Sequence, residues 1–500
     1  MTNVNINRVK TSFLPHGLIY TILSFVIICL TVLTIVYSIL WRNIKASSNI
    51  YSIENGIIGH HFMLPNDGKY IQWSFLQMND VYELLPLDRG RKGGLARVAY
   101  IRKLLKQENS NTYTILAGDF LSPSALSLSI INGTTLNGKQ MIAVMNTLGV
   151  DYAIFGNHEF DLNEKDLLTR MNESTFTWIS TNVFRQDNNQ LFGSIDYVQE
   201  YLKLLPNNTY DVFIAITHLD MATDIDLASK IPQLNLIMGG HEHDNFNYLR
   251  GTNYIPINKA DANAFTVFIH RCAYNIDTKR FRLYSTLAQV TYEVPNEENT
   301  EAIANYWFNL GIQGFQTLGY NPNAIVSCLP TGIELDGRSA SVRSHITLLT
   351  AEICESMLEL TATYRTTIGI VNGGTVRIDD ILRETISEYD IIRTLPFVNQ
   401  VIALSVPGQI IAQVLTTGMS LKGNGMFMAY TRVETLDGGK TWLFNGIDIS
   451  KTGLSYNVAT LDYVRDNTAL NHSDVNTLYD TNITHTRALM IYLKNKYPPC

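Results

Sequence analysis

Five short apolar runs with strand character each stop at a residue able to hold a metal ion. No other feature constrains the fold of this chain as tightly. Residues 71–77 run into Met78-Asn79-Asp80, 113–117 into Gly118-Asp119, and 152–155 into Gly156-Asn157-His158. Residues 212–216 run into Thr217-His218, and 234–238 into Gly239-Gly240-His241-Glu242-His243. One Gly-Asp after a strand is ordinarily a turn; turn chemistry does not explain five such ends in series. Open α/β sheets bind ligands outside the carboxyl ends of their strands. The pattern therefore predicts an α/β domain that gathers Asp, Asn and His on one edge.

Those donors suit a particular chemistry. Two divalent cations bridged by a carboxylate and a hydroxide neutralise a phosphoryl group during in-line attack. Mixed carboxylate, amide and imidazole donors favour Mn, Fe, Co, Zn or Ni over Ca. Composition narrows the class further. Of 500 residues 46% are apolar and 17% charged, enough for large cores. A net charge of −7 opposes an electrostatic nucleic-acid binder, so no nucleic-acid polymer is expected as a partner. Five scattered cysteines exclude a disulfide-dense scaffold and leave their pairing open.

The chain divides in order. Residues 1–45 hold an N-terminal tail and a 24-residue stretch, 18–41, without a charged side chain. As a helix that stretch would span about 36 Å, more than a hydrocarbon core, and it reads as a transmembrane signal anchor. Arg8 and Lys10 precede it with no acid among the first seventeen residues, which favours a cytoplasmic N-terminus. The body is then expected outside the cytoplasm: periplasmic, extracellular or luminal. Residues 46–69 read as a tether, 70–294 as an α/β domain, 295–319 as a connecting helix and 320–500 as a second α/β domain.

Gly118-Asp119, Gly156-Asn157-His158-Glu159, Thr217-His218 and Gly240-His241-Glu242-His243 follow the order and spacing of the calcineurin-like metallophosphoesterases. The extension to Phe160-Asp161, with Gly93-Gly94-Leu95-Ala96-Arg97, resembles the 5′-nucleotidase branch. Asn372-Gly373-Gly374-Thr375-Val376-Arg377, Arg343 and Leu395-Pro396-Phe397 resemble its C-terminal substrate domain. The resemblance implies a four-layer αββα domain followed by an α/β substrate domain. It implies two divalent metal ions (Mn, Zn, Fe, Co or Mg) and hydrolysis of nucleoside 5′-monophosphates. Asp119 would bridge the metals; one site would add Asp80 and His243, the other Asn157, His218 and His241. His158 would act in catalysis, oriented by Asp161. Arg343, Asn372, Gly373, Gly374, Arg377 and Phe397 would bind substrate, the two glycines by letting backbone amides approach it. Glu159 and Glu242 read as framework.

Two departures stand out. The first motif is Asp80-Val81-Tyr82 where most of the family carries Asp-x-His, which leaves open whether Tyr82 ligates metal. The second aromatic expected to clamp a nucleobase is absent from its usual place after Ala459-Thr460-Leu461-Asp462, with Tyr463 adjacent. The alternatives are therefore a hydrolase of nucleoside diphosphate sugars such as UDP-sugars, or of 2′,3′-cyclic nucleotides. A surface binding protein on a decayed phosphoesterase scaffold is a third. Oligomeric state is not legible.

Overall fold

The computed structural model describes residues 24, 27–37, 51–56, 63–181, 183 and 210–500. Much of the expected anchor, 18–41, lies outside these; residues 27–37 are helical, with Ile27, Ile28, Leu30 and Leu33 more than half exposed. Among the described residues no helix is long and apolar enough to cross a membrane.

The first domain is a sandwich of two sheets. In the larger, β1 (Tyr51–Asn55), β2 (Tyr70–Met78), β3 (Thr112–Leu116), β4 (Tyr152–Ala153) and β5 (Thr177–Trp178) join two long antiparallel strands introduced below. Strands β2 to β5 run parallel to one another, so their carboxyl ends fall on one edge. The smaller sheet holds β6 (Ile214–Ile216), β7 (Leu236–Gly239), β8 (Phe246–Arg250) and β9 (Ile255–Lys259), in the order β8-β9-β7-β6. With β10 (Thr266–Asn275) and β11 (Arg280–Gln289), the larger sheet reads β1-β11-β10-β2-β3-β4-β5.

Strand alternation builds the layers. Ile115, Leu236, Met238, Cys272 and Leu283 pack between the sheets. Leu76, Met78 and Leu116 turn the other way, toward helices α1 (Leu95–Glu108) and α2 (Lys139–Leu148). The helix α1 buries Leu95, Val98, Ile101 and Leu105, the three-to-four spacing of one helical face. Behind the smaller sheet, α3 (Met221–Lys230) covers Ile237, Ile255 and Ile257 with Leu227 and Ala228. The result is an αββα sandwich.

The helix α4 (Glu298–Thr317) leads to the second domain, its start capped by the Glu297 side chain, which accepts from the Thr300 and Asn299 amides. The second domain is built on a five-stranded sheet of β12 (Ile368–Asn372), β13 (Gln400–Pro407), β14 (Met428–Thr431), β15 (Ser455–Leu461) and β16 (Asn476–Thr484), ordered β14-β12-β15-β13-β16. Cys328 and Cys500 form a disulfide, while Cys29, Cys272 and Cys354 are free.

One segment departs from expectation. Within the supposed tether, Tyr51–Asn55 forms β1 and pairs in parallel with residues 283–287 of β11. Five residues carry too little periodicity to announce a strand whose partner lies some 230 positions away.

Candidate metal and substrate site

The five strand ends meet at one edge shared by both sheets. The chain reverses sharply there: Asp80 (φ 53°), Asp119 (φ 57°), His241 (φ 95°) and His243 (φ 67°) all occupy left-handed backbone. Non-glycine residues avoid that region, and such departures concentrate at functional sites. Gly156 is required by close approach, since a Cβ there would lie 2.1 Å from Asp119 Oδ1.

Asp80 and Asp119 are fully buried. The Asp119 carboxylate takes the His158 amide on Oδ1 at 2.8 Å and faces His218 Nε2 with Oδ2 at 2.9 Å. His218 donates from Nδ1 to the Ala117 carbonyl at 2.7 Å, which turns Nε2 into the site. That nitrogen has no hydrogen-bond partner and points into the site. The His241 amide donates to Asp80 Oδ2 at 2.8 Å, and its Nδ1 lies 3.1 Å from Asn157 Oδ1. His243 Nε2 lies 3.4 Å from Asp80 Oδ1.

Asp119, His218 and His241 offer ligand atoms within 4.8 Å of one another, a set able to hold a metal ion. Electrostatics agree. Burial alone would depress the His218 imidazole, but the Asp80 and Asp119 carboxylates raise its pKa to about 10. Burial works against the charge on Asp119 as well, yet His218 and His158 hold its carboxyl far below the usual range. Burial, then the neighbouring His218, lowers His241 to about 4. Two buried carboxylates thus demand positive charge at this spot, which a protonated His218 or a divalent cation supplies, and the neutral Asn157 and His241 beside them suit the cation.

Tyr82 enters the centre. Its hydroxyl donates to Asp119 Oδ2 at 3.3 Å and lies 3.3 Å from His243 Nε2. Burial, reinforced by Asp119 and Asp80, pushes the phenol well above its ordinary pKa. The next residue, Glu83, turns away to accept from the Tyr389 hydroxyl at 3.3 Å.

The two framework acids are fully employed. Glu159 accepts the amides of Asp119 (2.9 Å), Phe120 (2.8 Å), Leu121 (3.1 Å) and Gly156 (2.6 Å), locking two metal-motif loops together. Glu242 pairs with the buried Lys259 at 2.5 Å, and Lys259 also meets Asp224 at 2.8 Å.

The second domain closes over this edge and leaves a cavity of about 620 Å³ between the two. His158 stands on its wall, with Nδ1 2.8 Å from Asp161 Oδ2 and Nε2 3.0 Å from Arg377 Nη2. Arginine can only donate, so Nε2 accepts and Nδ1 carries the hydrogen given to Asp161. Arg343, Asn372 and Arg377 line the same cavity, and Arg343 Nε, Arg377 Nε and Asn372 Oδ1 are buried without partners. Phe397 and Tyr463 also line it.

The reading of the glycines is corrected. The Gly373 amide donates to the Phe427 carbonyl at 2.7 Å and the Gly374 amide to Gly425 at 2.8 Å, so neither is available to a ligand. Close packing explains both: a Cβ on Gly373 would lie 2.4 Å from the Val342 carbonyl oxygen and one on Gly374 2.9 Å from the Gly425 backbone, although Gly374 does line the cavity. Asp379 was missed. Its Oδ2 lies 2.9 Å from His243 Nδ1, a contact between residues 136 apart that no local motif signals.

Comparison with known proteins agrees with this geometry. The family model for calcineurin-like phosphoesterases matches residues 74–245, and that for the 5′-nucleotidase C-terminal domain matches 331–468. The trifunctional nucleotide phosphoesterase protein YfkN of Bacillus subtilis (strain 168) is 28% identical over 219 residues. That match takes in 42% of this chain and 14% of YfkN; the chain spans less than two thirds of the length of the curated relatives it matches. Among solved structures, a 5′-nucleotidase precursor from Thermus thermophilus superposes with a TM-score of 0.72 at 18% identity, over 85% of this chain and 97% of that one. The sulfate thiohydrolase SoxB of the same organism gives 0.63 at 13%, over 87% of this chain and 96% of that one. At such identities the likeness is one of fold.

Proposed function

As a chain that joins a calcineurin-like phosphoesterase domain to a 5′-nucleotidase C-terminal domain, this protein has the makeup of the 5′-nucleotidase family, and we propose that it is a membrane-anchored, dinuclear-metal phosphomonoesterase acting on nucleoside 5′-monophosphates. One observation carries the reading. Two arginines, the buried Arg377 and the half-buried Arg343, each carry a buried, unpartnered Nε–H and face the carboxylate and imidazole cluster across one cavity. Burial and the charge of Arg377 both work against the Arg343 guanidinium, so the pair calls for an anion between them.

Asp119, Asn157, His218 and His241 would hold one cation, and Asp119, Asp80 and His243 the other. Bound cations would supply charge neutralisation at the phosphoryl oxygens and activation of water. The protein's own groups do the rest. Arg343 and Arg377 grip the phosphoryl oxygens with their guanidinium forks. Asp161 keeps the His158 ring turned so that Nε2 faces the cavity; once Arg377 leaves it for the phosphoryl oxygens, Nε2 is free to take up a proton and pass it to the leaving ester oxygen. Phe397 and Tyr463 offer aromatic faces to the base, with Tyr463 serving in place of the missing clamp residue. Because Tyr463 sits at an unfamiliar position, nucleoside diphosphate sugars and 2′,3′-cyclic nucleotides follow monophosphates as substrates.

The uncharged stretch 18–41 supports the anchor, and only nine residues separate it from β1. Such a link reaches about 35 Å at most, which keeps the body close to the bilayer. The Cys328–Cys500 disulfide supports an extracytoplasmic body.

The test uses the full chain in detergent, loaded separately with Mn, Zn, Co and Mg. Phosphate release from AMP and from an aryl phosphate is compared with the His158→Ala variant. Release from both, reduced about 10²–10⁴-fold in the variant, is the expected result. Aryl phosphate turnover without AMP turnover would reassign the substrate; bound metal without any turnover would leave a binding protein.

A further inference from the structure

The first metal site, read as Asp80, Asp119 and His243, has Tyr82 where the family pattern supplies a second imidazole. We propose that Asp379, from the second domain, is the positioning residue that fixes His243 and so completes this metal site across the domain boundary. The inference rests on the metal reading above.

Asp379 Oδ2 lies 2.9 Å from His243 Nδ1, while its Oδ1 accepts from the Ser339 amide at 2.8 Å. An ionised carboxylate can only accept, so the hydrogen of His243 resides on Nδ1 and the Nε2 lone pair points inward. There Nε2 faces Asp80 Oδ1 at 3.4 Å and the Tyr82 hydroxyl at 3.3 Å. His243 is only 7% exposed, so bulk water does not compete for Nδ1, and the other group beside that atom, the Ser339 hydroxyl at 3.2 Å, also comes from the second domain. The carboxylate is itself held in place, on left-handed backbone with φ of 48°. Metal-bound histidines depend on such partners for orientation, and losing one costs roughly 10–100-fold in metal affinity.

Its origin in the other domain adds a consequence. Asp379 stands two residues after Arg377, which reaches His158. One short segment of the substrate domain therefore touches the proton-carrying imidazole and a metal-holding imidazole together. Docking of that domain and filling of the first site are then coupled, so either promotes the other.

The metal-free full chain in detergent is titrated with Co²⁺, read by visible absorbance and by metal analysis after equilibrium dialysis. Wild type is compared with Asp379→Asn, Asp379→Ala and Arg89→Ala. The last breaks a different interdomain contact, the exposed pair of Arg89 with Glu384 at 2.5 Å. Wild type is expected to bind two Co²⁺. Both Asp379 variants should weaken one of them about 10–100-fold and spare the other, and Arg89→Ala should spare both. Unchanged affinities in the Asp379 variants, or equal weakening by Arg89→Ala, would overturn the inference while leaving the metal reading intact. A wild type that binds no Co²⁺ would overturn both. Should Asp379→Ala fail to fold, Asp379→Asn, which keeps the shape and one acceptor oxygen, decides.

Discussion

Arg377 of the second domain places Nη2 3.0 Å from Nε2 of His158 in the first, and its guanidinium lies over the Tyr82 ring, 5.4 Å from the centroid. A residue proposed to grip phosphate thus already touches the residue proposed to protonate the leaving group. The contact spans 219 positions in the sequence.

Replacing Arg377 tests that relationship. Arg377→Ala removes charge-assisted hydrogen bonds worth about 1.5–3 kcal/mol, so kcat/KM for a phosphomonoester should fall roughly 10–100-fold. Arg377→Lys keeps the charge but not the fork and should recover only part of the loss. Steady-state kinetics check both; wild-type kcat/KM in the alanine variant would remove Arg377 from the site.

Tyr82→His restores an imidazole beside Asp80. Neutral phenol is a poor ligand, and burial with Asp119 and Asp80 holds this one protonated. The variant should bind Zn²⁺ at least about 10-fold more tightly, a gain comparable to other changes around metal ligands. Competition against a calibrated chelator measures it. Equal affinity in both proteins would mean that position 82 does not face the metal.

His270 makes stability depend on pH. The ring accepts from Ser285 Oγ at 2.8 Å and donates to Gln77 Oε1 at 2.9 Å, and burial pushes its pKa from 6.5 down to about 3. Between those values the unfolded chain binds more protons than the folded one. The stabilisation is therefore complete above pH 6.5 and is lost as pH falls toward 3. Between about pH 7 and pH 5 this single group accounts for about 2 kcal/mol. Urea midpoints at the two pH values should differ less in His270→Gln, and an identical difference would refute the assignment.

Much of the site was legible because strands and their terminal turns are local. The ends of β2, β3 and β7 fall within a residue of where the apolar runs stop, and Asp80, Asp119 and His241 follow directly. Framework roles for Glu159 and Glu242 were legible too, and their amide and lysine partners account for them. The amides of Gly373 and Gly374 misled, because glycine signals close approach of something without saying whether that is ligand or protein.

The sequence by itself determined which side chains arrive at the edge, since alternation along a strand and reversal after it depend only on neighbouring residues. Tertiary structure alone decided what those side chains meet. Asp379 on His243, Arg377 on His158 and Tyr82 against Asp119 join atoms 136, 219 and 37 residues apart. Such contacts are set by how two domains and two sheets pack, and packing of distant surfaces leaves no periodic mark on the chain.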